Sequence, residues 1–302
     1  MNAAVRVIVN PAAGRGAGGR ALPAVRRAFA AVGVDGVLTT DAPGEERALA
    51  RRAIDQGAAT LVAVGGDGTW SNVANAILES GADCRLALVA AGTGNDFAKT
   101  LGVPATDVAA TARLAAEGPD ARVDVGRVEG RHFLNIAGFG FDIAVLEDIG
   151  RIPLLSGSAL YLFSALRQLF GYGGIAIDVA SPERRRGERR HLMLIVANAR
   201  HFGGAFHIAP GADVTDGRLD TVAILDAPPL RRLKLFRAVG RGTHLGMPEV
   251  SAEQAPRFTL RFASPPAYET DGEYRRAAAA ELEVTCVPRA LRVVGAPGGM
   301  PA

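Results

Sequence analysis

Cysteine is scarce in this 302-residue chain, which has only Cys84 and Cys286. The two are far apart, each lies in an apolar strand-like run, and neither has metal-ligating neighbours at ligand spacing. A disulfide-stapled scaffold and a zinc knuckle are thereby excluded, and two free thiols in a reducing compartment are expected. Charge of one sign is also missing: 34 Lys and Arg oppose 31 Asp and Glu, for a net +3. That balance suits an anionic membrane surface or a nucleotide and does not call for nucleic acid. Long hydrophobic runs are absent as well. The longest uncharged stretch, Ile152 to Leu166, is too short to span a bilayer and is broken by serines and a glycine. The N-terminus runs straight into a strand without a signal-peptide pattern. A cytoplasmic protein is expected, one able to meet the inner face of a membrane peripherally. No internal repeat is visible.

The chain does contain enough apolar residues, 48% against 22% charged, to bury a sizeable core. Its length suggests about two domains. Up to about residue 130, strands alternate with helices. Val5 to Val9, Val37 to Thr40, Leu61 to Val64 and Leu86 to Ala90 read as strands, and the segments between them carry helical apolar spacing. This is the pattern of parallel βαβ units, which bind ligands at the carboxyl ends of the strands. Beyond residue 130 short strand-like runs dominate: 132–136, 175–180, 191–197, 219–224, 257–262 and 281–287. Their spacing suits an antiparallel sandwich. The expected fold is therefore an α/β N-terminal lobe with a parallel Rossmann-like sheet over residues 1–129. A C-terminal antiparallel β-sandwich lobe follows over 130–288, and residues 289–302 are a tail that returns to the first lobe. The charge run Glu183 to Arg190 reads as a solvated hairpin loop.

The chemistry gathers on glycine. Gly65-Gly66-Asp67-Gly68-Thr69 follows the third strand and opens a helix that begins Trp70-Ser71-Asn72. A glycine corner before a helix N-terminus brings backbone N–H groups and partial positive charge to a polyanion. Asp67 in such a loop points to a metal or to proton transfer rather than to phosphate storage. Gly92-Thr93-Gly94-Asn95-Asp96 repeats the arrangement after the fourth strand. Two other patterns mislead. Gly14-x-Gly16-x-x-Gly19 has the dinucleotide spacing, but Asn10-Pro11-Ala12-Ala13 separate it from its strand. Ala98-Lys99-Thr100 lacks the glycine a P-loop needs.

Taken together, Asn10-Pro11-x-x-Gly14, the corners at 65–69 and 92–98, Val123-Asp124-x-Gly126, Asn135 to Asp142, Pro210 to Asp220 and Asp271-Gly272-Glu273 resemble the bacterial diacylglycerol kinase and sphingosine kinase family. The resemblance covers nearly the whole chain in family order. It implies phosphorylation of a lipid hydroxyl at a membrane surface, with ATP and Mg²⁺ as cofactors, and it leaves a homodimer open. By that resemblance Asn10, Pro11, Ala12, Ala13, Gly14, Arg15, Thr40, Gly66, Asp67, Gly68, Thr69, Trp70, Ser71, Asn72, Thr93, Asn95 and Asp96 contribute to the ATP site. Glu273 is the general base, and Asp67 and Asp124 share the catalytic work with Asp96 through water and Mg²⁺. Asp213, Asp216 and the carbonyl of Arg218 form a Mg²⁺ site like the family's structural one. Diacylglycerol is the first acceptor to consider, and a sphingoid base or other lipid the next.

The chain departs from its relatives in three places. Asn72 stands where they usually carry Glu, Lys99 where Arg is common, and Thr215 where an acid often precedes Asp216. Two stretches are candidates for lipid access: Ile152–Leu166, whose simpler reading is core packing, and the basic amphipathic helix 228–241, which can equally face the core. In that helix Leu230, Leu233, Phe236 and Val239 are expected to share a face. The rival readings are an NAD kinase, which needs an Asn-Glu pair this chain lacks, a nicotinamide oxidoreductase, and a catalytically silent lipid- or nucleotide-binding regulator.

Overall fold

The computed structural model describes residues 4–149, 163–164, 167–204 and 206–296. Apart from Phe163 and Ser164, the stretch Ile152–Leu166 lies outside the described residues. The chain divides into two compact units, one made of Met1–Val125, Val214–Gly217 and Val287–Ala302, the other of Gly126–Asp213 and Arg218–Cys286.

In the first unit β1 (Val5–Val9), β2 (Val37–Thr39), β3 (Thr60–Gly65) and β4 (Arg85–Ala90) form a parallel sheet in the order β2-β1-β3-β4. Residues 292–293, late in the chain, pair parallel with Arg85 and Leu86 of β4 and extend that sheet. β3 is buried along its whole length, which matches the continuous apolar run of a strand covered on both faces. The crossovers are α1 (Ala13–Ala30), α2 (Glu45–Asp55) and α3 (Asp67–Ser80). After β4 come α4 (Asp96–Leu101) and α5 (Val108–Glu117), the latter capped by Asp107, whose carboxylate accepts from the Ala110 N–H at 2.9 Å. The core on one side of the sheet is Val7, Val9, Val62, Val64 and Val89 under Val25 and Phe29 of α1. β5 (Asp120–Val128) then leaves this unit.

The second unit is antiparallel. It contains β6 (Arg131–Phe133), β7 (Ile136–Gly140), α6 (Phe141–Ile149), β8 (Ile175–Ala180), β9 (Arg185–Ala197), β10 (Leu219–Leu225), α7 (Pro229–Gly240), β11 (Val250–Ala255), β12 (Arg257–Arg261), β13 (Ala267–Thr270), β14 (Glu273–Arg276) and the part of β15 (Glu281–Val294) that runs up to Cys286. β9 is its spine, pairing with β8 through its first half and with β7 and β10 through its second. Side chains alternate along β9. Leu194 and Val196 enter one apolar core with Phe139, Phe258 and Leu260, and Met193, Ile195 and Ala197 enter another beneath Phe141 of α6 and Leu235 and Val239 of α7.

Two expectations are corrected here. Most of the charge run 183–190 is strand rather than loop, because β9 already begins at Arg185. Backbone ladder bonds tolerate an exposed charged face, and Arg185 is further held by Asp178 at 2.6 Å and Arg186 by Glu253 at 2.8 Å. The buried face of α7 is Arg232, Leu235 and Val239, while Leu230 is among the most exposed large apolar residues. Arg232 belongs inside because its guanidinium donates to the carbonyls of Ala227, Leu169 and Tyr172 and pairs with Asp226 at 2.6 Å. A buried charge satisfied in this way can take an apolar position in the helical repeat.

Candidate functional site

Three corners of the first unit close on one another at the carboxyl ends of β1, β3 and β4. A Cβ on Gly66 would lie 2.9 Å from the Cα of Gly92, and one on Gly14 would overlap the carbonyl oxygen of Ala91. No residue larger than glycine fits at these approaches. Gly14, Arg15 and Gly16 run consecutively through the left-handed region, with φ of 56°, 57° and 86°. That geometry turns the chain before α1 and leaves the Arg15 side chain exposed. Behind the corners stands the N-terminus of α3, whose first turn carries Asp67, Gly68 and Thr69. The first N–H groups of a helix have no partner within it, so the arrangement suits a phosphate group.

Asp67 fastens one corner to the next. Its Oδ1 accepts from the backbone N–H of Asp96 at 2.8 Å and of Phe97 at 3.1 Å, so it caps α4 from another segment. Asn95, at φ 54°, closes its own loop by exchanging hydrogen bonds with the backbone of Gly92. Asp96 is buried and pairs with Lys99 at 3.0 Å. Lys99 thus places a cation on Asp96. Thr93 is exposed and Thr40 buried. Trp70 is wholly buried with its indole N–H donating to the Ala63 carbonyl, and Ser71 and Asn72 are buried with it. The Trp70 indole thereby ties α3 to β3.

Glu46 is a participant that the sequence does not reveal. It is 2% exposed in the first turn of α2. Its Oε1 accepts from Asn10 Nδ2 at 2.7 Å and from the Thr69 hydroxyl at 3.3 Å, and Asn10 Nδ2 also reaches Thr69 Oγ1 at 3.1 Å. With its amide so fixed, Asn10 turns Oδ1 to the N–H groups of Ala12 and Ala13 at 3.0 and 3.1 Å. One buried carboxylate thus ties the end of β1 to the start of α3. Its neighbour Glu45 does ordinary capping work, accepting from Asp41 N–H at 2.7 Å. Nothing in two adjacent acids says which one turns inward.

Asp124 is 0% exposed. Its oxygens accept from the backbone N–H of Gly217 at 2.6 Å and of Arg289 at 2.7 Å, and its own N–H donates to the Val214 carbonyl. It gathers three separate segments of the first unit. Of the expected metal ligands, Asp213 and Asp216 are both exposed. Among the described residues no group of three or more His, Cys, Asp or Glu side chains is placed to hold an ion. The donors the turn offers are hard oxygens, which suit Mg²⁺ only with several waters kept.

In the second unit Glu273 opens β14 directly after the turn Asp271-Gly272. Both turn residues have positive φ, 51° and 84°, as a two-residue hairpin of this hand requires. The Asp271 carboxylate locks the hairpin down by accepting from the N–H groups of Leu134 at 2.8 Å, Asn135 at 2.8 Å and Ile136 at 3.3 Å. Glu273 is then held on two sides, by Arg131 at 3.0 Å and Arg275 at 2.6 Å. Thr270 of β13 pairs with Glu273, and its neighbour Glu269 pairs with Gly138 of β7. Burial raises the carboxyl of Glu269 well above the usual carboxylate range, and the Asp142 charge and a hydrogen bond to Asp142 add to the rise. Burial also raises Asp142, against the opposing effect of that hydrogen bond.

A protein-family model of the diacylglycerol kinase catalytic domain matches residues 4–128, and a model of the YegS C-terminal NAD kinase beta-sandwich-like domain matches residues 135–295. The chain belongs to the diacylglycerol kinase and YegS-like lipid kinase family. Membership makes it a phosphotransferase with an alcohol acceptor. It is 28% identical over 299 residues to the diacylglycerol kinase of Mycobacterium tuberculosis, covering 96% of this chain and 94% of that one. The crystal structure of a diacylglycerol kinase from Bacillus anthracis superposes with a TM-score of 0.72 at 20% identity over 97% of both chains. An NAD kinase from Archaeoglobus fulgidus in complex with ATP superposes at 0.53 with 12% identity, over 97% of this chain and 94% of that one. At such identities the likeness to solved structures shows the fold, an α/β region with a parallel sheet and an antiparallel β-sandwich region. Among the described residues no helix of this kinase is long and apolar enough to cross a membrane.

Proposed function

We propose that the chain transfers the γ-phosphoryl group of Mg·ATP to a lipid hydroxyl, with diacylglycerol as acceptor and phosphatidic acid as product. The observation that carries the reading is the meeting of three glycine corners over the first turn of α3. Phosphate oxygens would accept from backbone N–H groups there and from Arg15, whose planar guanidinium can bind two oxygens at once. Asn10, Thr69 and Asn95 set the shape of the cradle, and Asp67 keeps its parts together.

Glu273 is the proposed base. It takes the hydroxyl proton as the acceptor oxygen bonds to the γ-phosphorus, and the bond from that phosphorus to the β–γ bridging oxygen breaks to leave ADP. Arg131 and Arg275 fix where its carboxylate points. Asp213, Asp216 and the Arg218 carbonyl are the groups proposed to hold Mg²⁺, through oxygens alone. The protein is proposed to work in the cytoplasm, docking peripherally on the membrane that holds its acceptor.

The test supplies γ-labelled ATP and Mg²⁺ with diacylglycerol, a sphingoid base, ceramide or NAD, each offered singly, the lipids in mixed micelles. Label is expected chiefly in diacylglycerol, lost on chelation and restored by Mg²⁺. Label in NAD alone would make the chain a nucleotide kinase, and label in no acceptor would make it a silent binder. Either result overturns the proposal.

A further inference from the structure

Gly138, on β7, is crowded by two acids. A Cβ there would overlap Asp142 Oδ2 and lie 3.1 Å from Glu269 Oε1. The glycine therefore makes room for a carboxyl from the first turn of α6 and a carboxyl from β13 to face one another. Both are buried, Asp142 to 7% exposure and Glu269 to 3%. Neither oxygen of Asp142, nor Oε1 of Glu269, has a hydrogen-bond donor among the described residues. Two ionised carboxylates in that position would repel each other in a medium that screens poorly, and leaving buried acceptors unpaired is costly. One proton placed between them removes the repulsion and joins an oxygen of each carboxyl in a hydrogen bond.

We propose that Asp142 and Glu269 share a single proton, and that this carboxyl pair pins β13 to α6 and so positions the hairpin that presents Glu273. Glu269 is the partner that keeps the proton. Every influence on it acts in that direction: burial, the Asp142 charge, the hydrogen bond to Asp142 and the Asp271 charge. Asp142 lies in the first turn of α6, where the partial positive charge of the helix N-terminus favours its ionised form. The other titratable groups facing the pair, among the described residues, are Asp271 in the hairpin turn and the Tyr172 hydroxyl near Asp142. Neither is a cation that could replace the proton. Glu269 pairs with Gly138, and Thr270 beside it pairs with both Ala137 of β7 and Glu273 of β14. A shift of β13 at residue 269 therefore reaches Glu273 through a single residue. Glu269 is a positioning residue and does not touch the reacting atoms.

The catalytic consequence rests on the proposed role of Glu273; the shared proton does not. Three measurements on the full chain separate the two. The infrared spectrum at neutral pH should contain a protonated-carboxyl band that Glu269→Gln removes. The folded state holds this proton more tightly than the unfolded chain. Folding equilibrium should therefore fall with rising pH, by up to about tenfold per pH unit, until the folded group itself ionises. Glu269→Gln, whose amide can donate to Asp142 without ionising, should lack that fall, so its advantage over the wild type widens with pH. Asp142→Asn removes the Asp142 charge but leaves Glu269 buried, so it should soften that fall without abolishing it. In the phosphotransfer assay Glu269→Gln should keep neutral-pH turnover within about threefold of the wild type, whereas Glu269→Ala should lower kcat at least tenfold. No protonated-carboxyl band, or wild-type pH dependence of folding in both amide variants, overturns the shared proton. Those two results intact, with Glu269→Ala at wild-type turnover, overturn the positioning role alone.

Discussion

The first unit shapes its candidate phosphate cradle almost without charge on the surface it presents, whereas the second aims its candidate base with charge throughout. In the first, contacts at Gly14, Gly66 and Gly92 bring backbone against backbone, and Asp67 Oδ1, Glu46 Oε1 and both oxygens of Asp124 accept from N–H and O–H donors. In the second, Glu273 stands on a hairpin held by the Asp271 carboxylate, flanked by two arginines and backed by the Asp142–Glu269 pair. Backbone cradles bind a ligand whose charge is fixed. A base that must take up a proton and release it needs its orientation fixed independently of its charge, and ion pairs and hydrogen bonds supply that. Damage to the first unit should therefore appear in nucleotide binding, and damage to the second in turnover.

The largest effect expected of that contrast is at the glycine contacts. Gly92→Val would drive a side chain into the backbone of Gly66 and should cost about 3 kcal/mol or more of stability. At roughly 2–4 °C per kcal/mol, calorimetry should find a clear drop in Tm, and any surviving fold should bind nucleotide at least a hundredfold more weakly. Asp271→Ala comes next. It strips three backbone N–H groups of their acceptor and should cost about 2–3 kcal/mol by denaturant titration. Its loss should fall on kcat with KM for ATP little changed, which is the reverse of the first unit's pattern.

Glu46→Ala sharpens the comparison further. Asn10 and Thr69 would lose a shared acceptor, at a cost of about 1–2 kcal/mol, and KM for ATP should rise about tenfold with kcat preserved. Glu46→Gln, which keeps an acceptor oxygen, should restore most of the binding. A kcat effect equal to the KM effect would place Glu46 outside the cradle. The smallest effect concerns Cys84, whose thiol burial pushes up to about 11. At pH 8 roughly one molecule in a thousand would carry the thiolate, so native protein should resist alkylation there, as mass spectrometry can read, and react once unfolded.

The glycine corners were legible in the sequence because each is a short contiguous motif at a strand-to-helix junction. The alternation of strands and helices before residue 130 and of short strands after it was legible for the same reason, as local periodicity. Long-range pairing was not. Glu46 looks like any acid in a first helical turn until Asn10 and Thr69 are brought to it. Arg232 interrupts the expected apolar face of its helix because its partners, Asp226 and the carbonyls of Ala227, Leu169 and Tyr172, come from outside the helix. The run 183–190 read as loop because its charges mask a ladder made by the backbone. Glu269 carries no motif at all, and only the gap left by Gly138 explains why it is there.

The central claim is that Glu273 takes the proton of a lipid hydroxyl while the first unit holds Mg·ATP. Single-turnover transfer from γ-labelled ATP to diacylglycerol, compared between the wild type and Glu273→Gln at equal nucleotide occupancy, tests it directly. A rate at least a thousandfold lower with unchanged ATP binding is the predicted result. Transfer by the Gln variant at a rate close to wild type would contradict the account.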